Sequence, residues 1–135
     1  MWTEEKLNEM LTTPSAKLVE DVAKIKGDIM VLGAGGKMGW TLCVLAKNAI
    51  KAAGIDKKVI AVSRFSDEFA KNYLTENGVD IISCDLLNLE QLRALPDVNN
   101  IIYMAGRKFG TDGEEWKTWA LNATLPAFVC EKFKN

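Results

Sequence analysis

The stretch Asp28-Ile29-Met30-Val31-Leu32-Gly33-Ala34-Gly35-Gly36-Lys37-Met38-Gly39 decides how the rest of the chain reads. Ile29 to Leu32 is an apolar run without polar alternation, the pattern of a short strand buried on both faces. Four glycines in the seven residues from Gly33 to Gly39 follow it. They open into a segment with Leu42, Leu45, Ala46, Ala49 and Ile50 at helical spacing, stopped by Gly54. Such a strand–turn–helix offers backbone N–H groups and the positive end of a helix dipole, and glycine lets an anion come close. A diphosphate suits that turn. A tight turn with no ligand is the plain alternative.

Outward from this unit the pattern repeats. Val59-Ile60-Ala61-Val62 reads as a second strand, Asp67 to Glu76 as a helix closed by Asn77-Gly78, and Val79 to Ser83 as a third strand. Asn88 to Leu95 gives a short helix before Pro96, Ile101 to Met104 a fourth strand, and Glu114 to Lys134 a final helix kinked by Pro126. The order predicts an α/β fold, a doubly wound parallel sheet of Rossmann type with strand order 3-2-1-4. Ligands in such sheets lie at the carboxyl ends of the strands, where the winding reverses between strands 1 and 4. Before Asp28, Thr3 to Leu11 is a capped amphipathic helix. Thr13 and Pro14 are expected to start a second one, with Leu18, Val19, Val22 and Ile25 along its apolar stripe. The chain thus divides into a helical extension, 1–26, and a sheet domain, 27–135.

Composition narrows the chemistry. With 135 residues the chain has room for one domain, and 48% hydrophobic residues supply its core. Seventeen basic residues against 18 acidic ones leave a net charge of −1, which lacks the electrostatic footprint of a nucleic-acid binder. Histidine is absent, so zinc–histidine sites and a histidine base are excluded, and no metal site is expected. Cys43, Cys84 and Cys130 are odd in number and widely separated, the pattern of buried free thiols in a reducing compartment. No run is long enough for a membrane span and the first residues are too charged for a signal peptide, so the cytoplasm is expected.

Spacing then discriminates among glycine loops. G-x-G-x-x-G fails because Met38 stands where the last glycine belongs, and the phosphate-loop pattern fails because Met38 follows Lys37. G-x-x-G-x-x-G fits, through Gly33, Gly36 and Gly39. Met30 to Gly39 resembles the cofactor fingerprint of the short-chain dehydrogenase/reductase superfamily, most nearly its extended branch, the NAD(P)-dependent epimerase/dehydratase family. The likeness extends from Asp28 to about Lys134.

The resemblance implies a site. Gly33, Gly35, Gly36, Lys37, Met38 and Gly39 would hold the diphosphate. Ser63 and Arg64, with no acid before Asp67, favour NADP over NAD, because an arginine meets a 2′-phosphate that a carboxylate would repel. Asp85 would bond the adenine amino group and Leu86 pack on its ring, although Asp85 could equally cap the next helix. Met104, Ala105 and Gly106 would lie against the nicotinamide ribose and diphosphate. Arg107 and Lys108 either meet an anionic group or are solvated. Asn122, in Ala120-Leu121-Asn122, resembles the family's helix asparagine facing the cofactor side of strand 4. Pro126 deprives its carbonyl of the usual donor, giving a kink or a carbonyl free for a ligand.

The family's hydride transfer also uses a tyrosine with a lysine four residues on. Tyr73 is followed by Asn77 and Tyr103 by Arg107, so no catalytic residue is assigned. The resembled enzymes run to roughly twice this length, at about 150 residues per domain. The chain is therefore expected to be the cofactor-binding part of such an enzyme, its substrate a nucleotide sugar or a related compound. It would lack the C-terminal catalytic part and form a homodimer through the last helix, with Trp116, Trp119, Phe128 and Phe133. The alternatives are a stand-alone dinucleotide-sensing module and, outside this class, a methyltransferase-like or mononucleotide site.

Overall fold

The computed structural model describes residues 1–107 and 112–134. Four short parallel strands form the sheet: β1 (Ile29–Leu32), β2 (Val59–Ser63), β3 (Asp80–Ser83) and β4 (Asn100–Tyr103), in the order β3-β2-β1-β4. This is the expected 3-2-1-4 arrangement of a Rossmann-like fold. Leu32 is opposite Val62 on one side and Tyr103 on the other, and Ser63 is opposite Ser83. The strand tips therefore end at one common edge.

Successive strand residues point to opposite faces, and each face has its own core. Ile29, Val31, Val59 and Ala61 pack with Cys43, Val44, Ala49 and Ile50 of α3 (Gly39–Ala52) and Leu74 of α4 (Glu68–Glu76). Met30, Leu32, Ile60 and Val62 pack on the other face with Leu92 of α5 (Leu89–Ala94) and with Leu125 and Val129 of α7 (Leu125–Lys132). The middle strands are buried on both faces, which is why they read as unbroken apolar runs. At the outer edge of β4, Ile102 remains 37% exposed.

The N-terminal helices α1 (Glu4–Thr12) and α2 (Ala16–Lys24) pack on α3, and Val22 of α2 reaches the core on that face. Thr3 caps α1 as expected, its hydroxyl accepting from the Lys6 N–H. The start of α2 differs from expectation: Ser15 caps it, accepting from the Leu18 N–H, and Pro14 lies outside the helix. Thr13 is not available because its hydroxyl donates to the Glu9 carbonyl at the end of α1. Of the expected α2 stripe, Ile25 falls past the helix end and is exposed.

The last helix also departs from a simple kink. It comprises α6 (Glu115–Trp119), a π-helical turn over Ala120–Thr124, and α7. The Leu125 N–H reaches five residues back to the Ala120 carbonyl. Pro126, in the first turn of α7, has no N–H to offer. The Leu121 carbonyl thus loses its ordinary donor at Leu125 and finds none at Pro126. The Tyr103 hydroxyl, arriving from β4, donates to it instead. The proline acts through an extra residue in the helical ladder, a known way of absorbing a missing bond.

Candidate functional site at the strand tips

The turn after β1 remains tied to the sheet while it opens outward. The Gly33 and Ala34 N–H groups both donate to the Val62 carbonyl, at 2.8 and 3.1 Å, and the Met104 N–H donates to the Leu32 carbonyl at 2.8 Å. The Cys84 N–H likewise bonds the Ser63 carbonyl. All four tips named from the sequence are thereby held side by side.

Within the turn the glycines have different reasons to be there. Gly33 has φ +90°, and a Cβ on it would stand 2.5 Å from the Ala105 backbone nitrogen, so β1 and the tip of β4 touch through it. A Cβ on Gly39 would come within 2.7 Å of Ala34, which fixes the approach of α3 to the turn. At Gly35 the atom in the way is the Ser63 hydroxyl oxygen, 2.6 Å off. Gly36 has none of these reasons: a Cβ there would meet only the Gly33 carbonyl oxygen at 3.7 Å, an ordinary contact. Gly36, Lys37 and Met38 are exposed.

The helix that follows starts without a side-chain cap, as α6 and α7 do and as α1, α2, α4 and α5 do not. Side chains of Thr3, Ser15, Asp67 and Asn88 cap α1, α2, α4 and α5. Met38, at the N-cap of the 14-residue α3, makes no side-chain cap bond. The Gly39 N–H at the start of α3 donates to the Gly36 carbonyl at 3.0 Å and the Gly36 N–H to the Gly33 carbonyl at 3.4 Å, so the turn is closed on itself with the positive end of the helix dipole behind it.

At the tip of β2, Ser63 is partly buried against Gly35 while Arg64 is exposed. Phe65 next to it is 9% exposed and takes φ +48°, a left-handed conformation among the non-glycine residues. That backbone costs a bulky residue about 1–2 kcal/mol. Burying the ring contributes roughly 2–3 kcal/mol, so packing outweighs the strain. Sequence offers no signal for it, because glycine or asparagine is the residue expected at positive φ.

At the tip of β3, Asp85 is exposed and Leu86 is buried in the core with Leu32, Val62 and Leu92. Asp85 does not cap α5. Asn88 does, accepting from the Glu90 and Gln91 N–H groups, because it stands immediately before the first helical turn. The Asp85 carboxylate instead accepts from the Leu87 N–H at 3.1 Å, and its own N–H donates to the Gln91 side chain. Cys84 beside it is buried, and burial with the neighbouring Asp85 charge pushes its thiol up. Burial alone raises Cys43 to about 12. Both are poor nucleophiles. Cys130 breaks the expectation of three buried thiols: it is exposed, on the outer face of α7.

At the tip of β4, Met104 packs toward the α3 face and Ala105 toward the α7 face, with Gly106 exposed between them and Arg107. Asn122 lies in the π-helical turn and closes on Arg107. Its Oδ1 accepts from the Arg107 N–H at 2.9 Å and its Nδ2 donates to the Arg107 carbonyl at 2.8 Å. The sequence assigned Asn122 to this side of β4 but not to that clamp. The Arg107 guanidinium pairs with Glu114 at 2.8 Å, so it is not simply solvated. Glu114 also pairs with Lys117, and these cations hold its carboxyl below the ordinary range, Lys117 first. Lys108 lies outside the described residues.

Neither tyrosine is placed as a base. Burial raises the Tyr103 phenol, whose hydroxyl serves Leu121, and Tyr73 packs edge-on against Trp40 beside Phe69. Two grooves lie apart from the strand tips, one of about 220 Å³ between α5 and α7 and one between α1 and α4. Among the described residues no group of histidine, cysteine, aspartate and glutamate could hold a metal ion, and no helix is long and apolar enough to cross a membrane.

No family model and no curated protein sequence matches the chain. Its fold is similar to that of Pen from Bacillus thuringiensis, known from an X-ray structure, with a TM-score of 0.62 and 15% sequence identity. The match covers 79% of this chain and 34% of that one, so the chain spans about a third of that structure's length. At this identity the likeness concerns the fold alone.

Proposed function

We propose that the strand tips bind an NAD(P) dinucleotide, and that the chain is the cofactor-binding part of an oxidoreductase of epimerase/dehydratase type. Its substrate would be a nucleotide sugar or a related compound. The observation that carries the reading is Gly36. Gly33 and Gly39 are required by backbone contacts and Gly35 faces the Ser63 side chain, whereas Gly36 is a glycine that the chain itself does not need. Its bare backbone beside the uncapped start of α3 fits the close approach of a diphosphate.

Gly35, Gly36, Lys37 and Met38 would surround the diphosphate, with Gly33 and Gly39 fixing the turn around it. Ser63 and Arg64 would meet the adenosine ribose, NADP being favoured over NAD by the arginine. Asp85 and Leu86 would meet the adenine, and Met104, Ala105 and Gly106 the nicotinamide side, with Asn122 holding that turn in place. When bound, the nicotinamide would supply hydride transfer; this chain's residues bind and orient it. A partner strand beside β4 would cover Ile102, in keeping with a further catalytic part. The exposed Trp116 and Trp119 favour self-association through the last helix, which a concentration-independent monomer in sedimentation would refute. A cytoplasmic site is in keeping with free cysteines.

Calorimetric titration with NADPH and NADH tests the reading. Binding in the micromolar range or weaker is expected, and Gly36→Asp should abolish it by placing a side chain and a negative charge where the diphosphate lies. Unchanged affinity in a folded Gly36→Asp protein would remove the site.

A further inference from the structure

Arg64 is exposed on a three-residue turn whose two flanks are fixed from opposite sides. On one flank Ser63 ends β2, its hydroxyl occupying the space that a side chain on Gly35 would need, 2.6 Å from that Cβ position. On the other flank Phe65 is driven to φ +48° and its ring goes down into the core that contains Val31, Ala34 and Ala61. The ring edge also comes within 4.0 Å of the Gly35 Cβ position. The glycine turn and the tip of β2 are thus fitted into one another through Gly35, and Arg64 is the residue left pointing outward between the two anchors.

We infer that Phe65 is a positioning residue for cofactor choice: its left-handed backbone and buried ring hold Arg64 at the rim of the glycine turn, where the guanidinium selects a 2′-phosphorylated dinucleotide. This rests on the dinucleotide reading above. Arg64 stands between the end of β2 and a ring buried in the core, so the Phe65 anchor limits how far the chain at Arg64 can move from the strand tip. Position 65 therefore acts on the ligand through Arg64 without touching it.

The test compares dissociation constants for NADPH and NADH by calorimetry on the full chain, with far-ultraviolet circular dichroism as the check on folding. Wild type is expected to bind NADPH about tenfold more tightly, the worth of one charge-assisted contact to a phosphate. Arg64→Gln should remove that preference. Phe65→Gly keeps the left-handed backbone accessible but loses the anchor, and should bring the ratio to within about twofold of that in Arg64→Gln while leaving NADH affinity unchanged. Phe65→Leu, which keeps an apolar anchor and guards against failure of the glycine variant to fold, should lower the ratio about threefold. Trypsin gives a second readout, since cleavage after Arg64 should be faster in both Phe65 variants than in wild type.

A ratio that stays at the wild-type value in a folded Phe65 variant overturns the inference. So does equal weakening of both dinucleotides, the signature of a merely structural role. Failure of wild type to bind either dinucleotide would instead overturn the dinucleotide reading itself, and the two failures are thereby told apart.

Discussion

The tips of β1 and β4 touch each other through Gly33, yet the first is held by backbone bonds and the second by side chains. Beyond β1 the turn exposes Gly36, Lys37 and Met38 and starts α3 without a side-chain cap. Beyond β4 the chain closes on itself: Asn122 binds the backbone of Arg107, Arg107 pairs with Glu114, and Glu114 pairs with Lys117. Among the described residues, the backbone at Arg107 is held by the Asn122 side chain, whereas the β1 turn is held by its own backbone bonds, from Gly36 to Gly33 and from Gly39 to Gly36, and leaves Gly36, Lys37 and Met38 exposed.

The contact between the two tips is where the contrast breaks most severely. Gly33→Ala would set a Cβ 2.5 Å from the Ala105 nitrogen at a backbone φ of +90°. A loss of about 3 kcal/mol is expected, read from urea unfolding. Gly36→Ala, three residues on, should leave unfolding within about 0.5 kcal/mol of wild type and instead weaken NAD(P) binding about tenfold. Equal destabilisation by the two alanines would erase the distinction between a structural and a ligand-facing glycine. A smaller effect is expected on the closed side. Asn122→Ala removes two bonds from the Arg107 backbone and should cost about 1–2 kcal/mol, with faster amide exchange at Arg107.

The smallest effect is electrostatic. Glu114 is held below its ordinary value of 4.5 by Lys117 and then Arg107. A lowered value in the folded state means that the folded chain resists protonation. The pairing therefore contributes fully above pH 4.5 and is lost as pH falls through the lowered value. Glu114 is substantially exposed, so the change is slight. Melting temperatures taken on acidification should fall less steeply in Glu114→Gln than in wild type, and parallel curves would deny the pairing any role.

The sheet was legible because its signal is carried by burial. Residues 29–32 and 59–62 are apolar on consecutive positions, and that pattern has few other solutions in a chain with glycine turns after it. The strand-tip set was legible for the same reason, since parallel order alone brings four turns to one edge. What escaped was side-chain competition. Nothing in Thr13-Pro14-Ser15 says that the first hydroxyl is already engaged by α1, and nothing in Asp85 or Asn88 says which will cap α5. Phe65 escaped because its strain is compensated by tertiary packing. Gly35 did leave a trace: it is the glycine surplus to G-x-x-G-x-x-G, and a surplus glycine signals a close neighbour, here Ser63.

The bond from Tyr103 to Leu121 has a consequence for how this chain can change over generations. The hydroxyl is needed because Pro126 supplies no N–H and Leu125 has turned its own to Ala120. Positions 103 and 126 lie far apart in the chain yet answer to one oxygen atom. A lineage that replaces the proline with a residue bearing an N–H releases the tyrosine to become phenylalanine at little cost. One that keeps the proline holds the tyrosine under selection, so the two positions should drift as a pair.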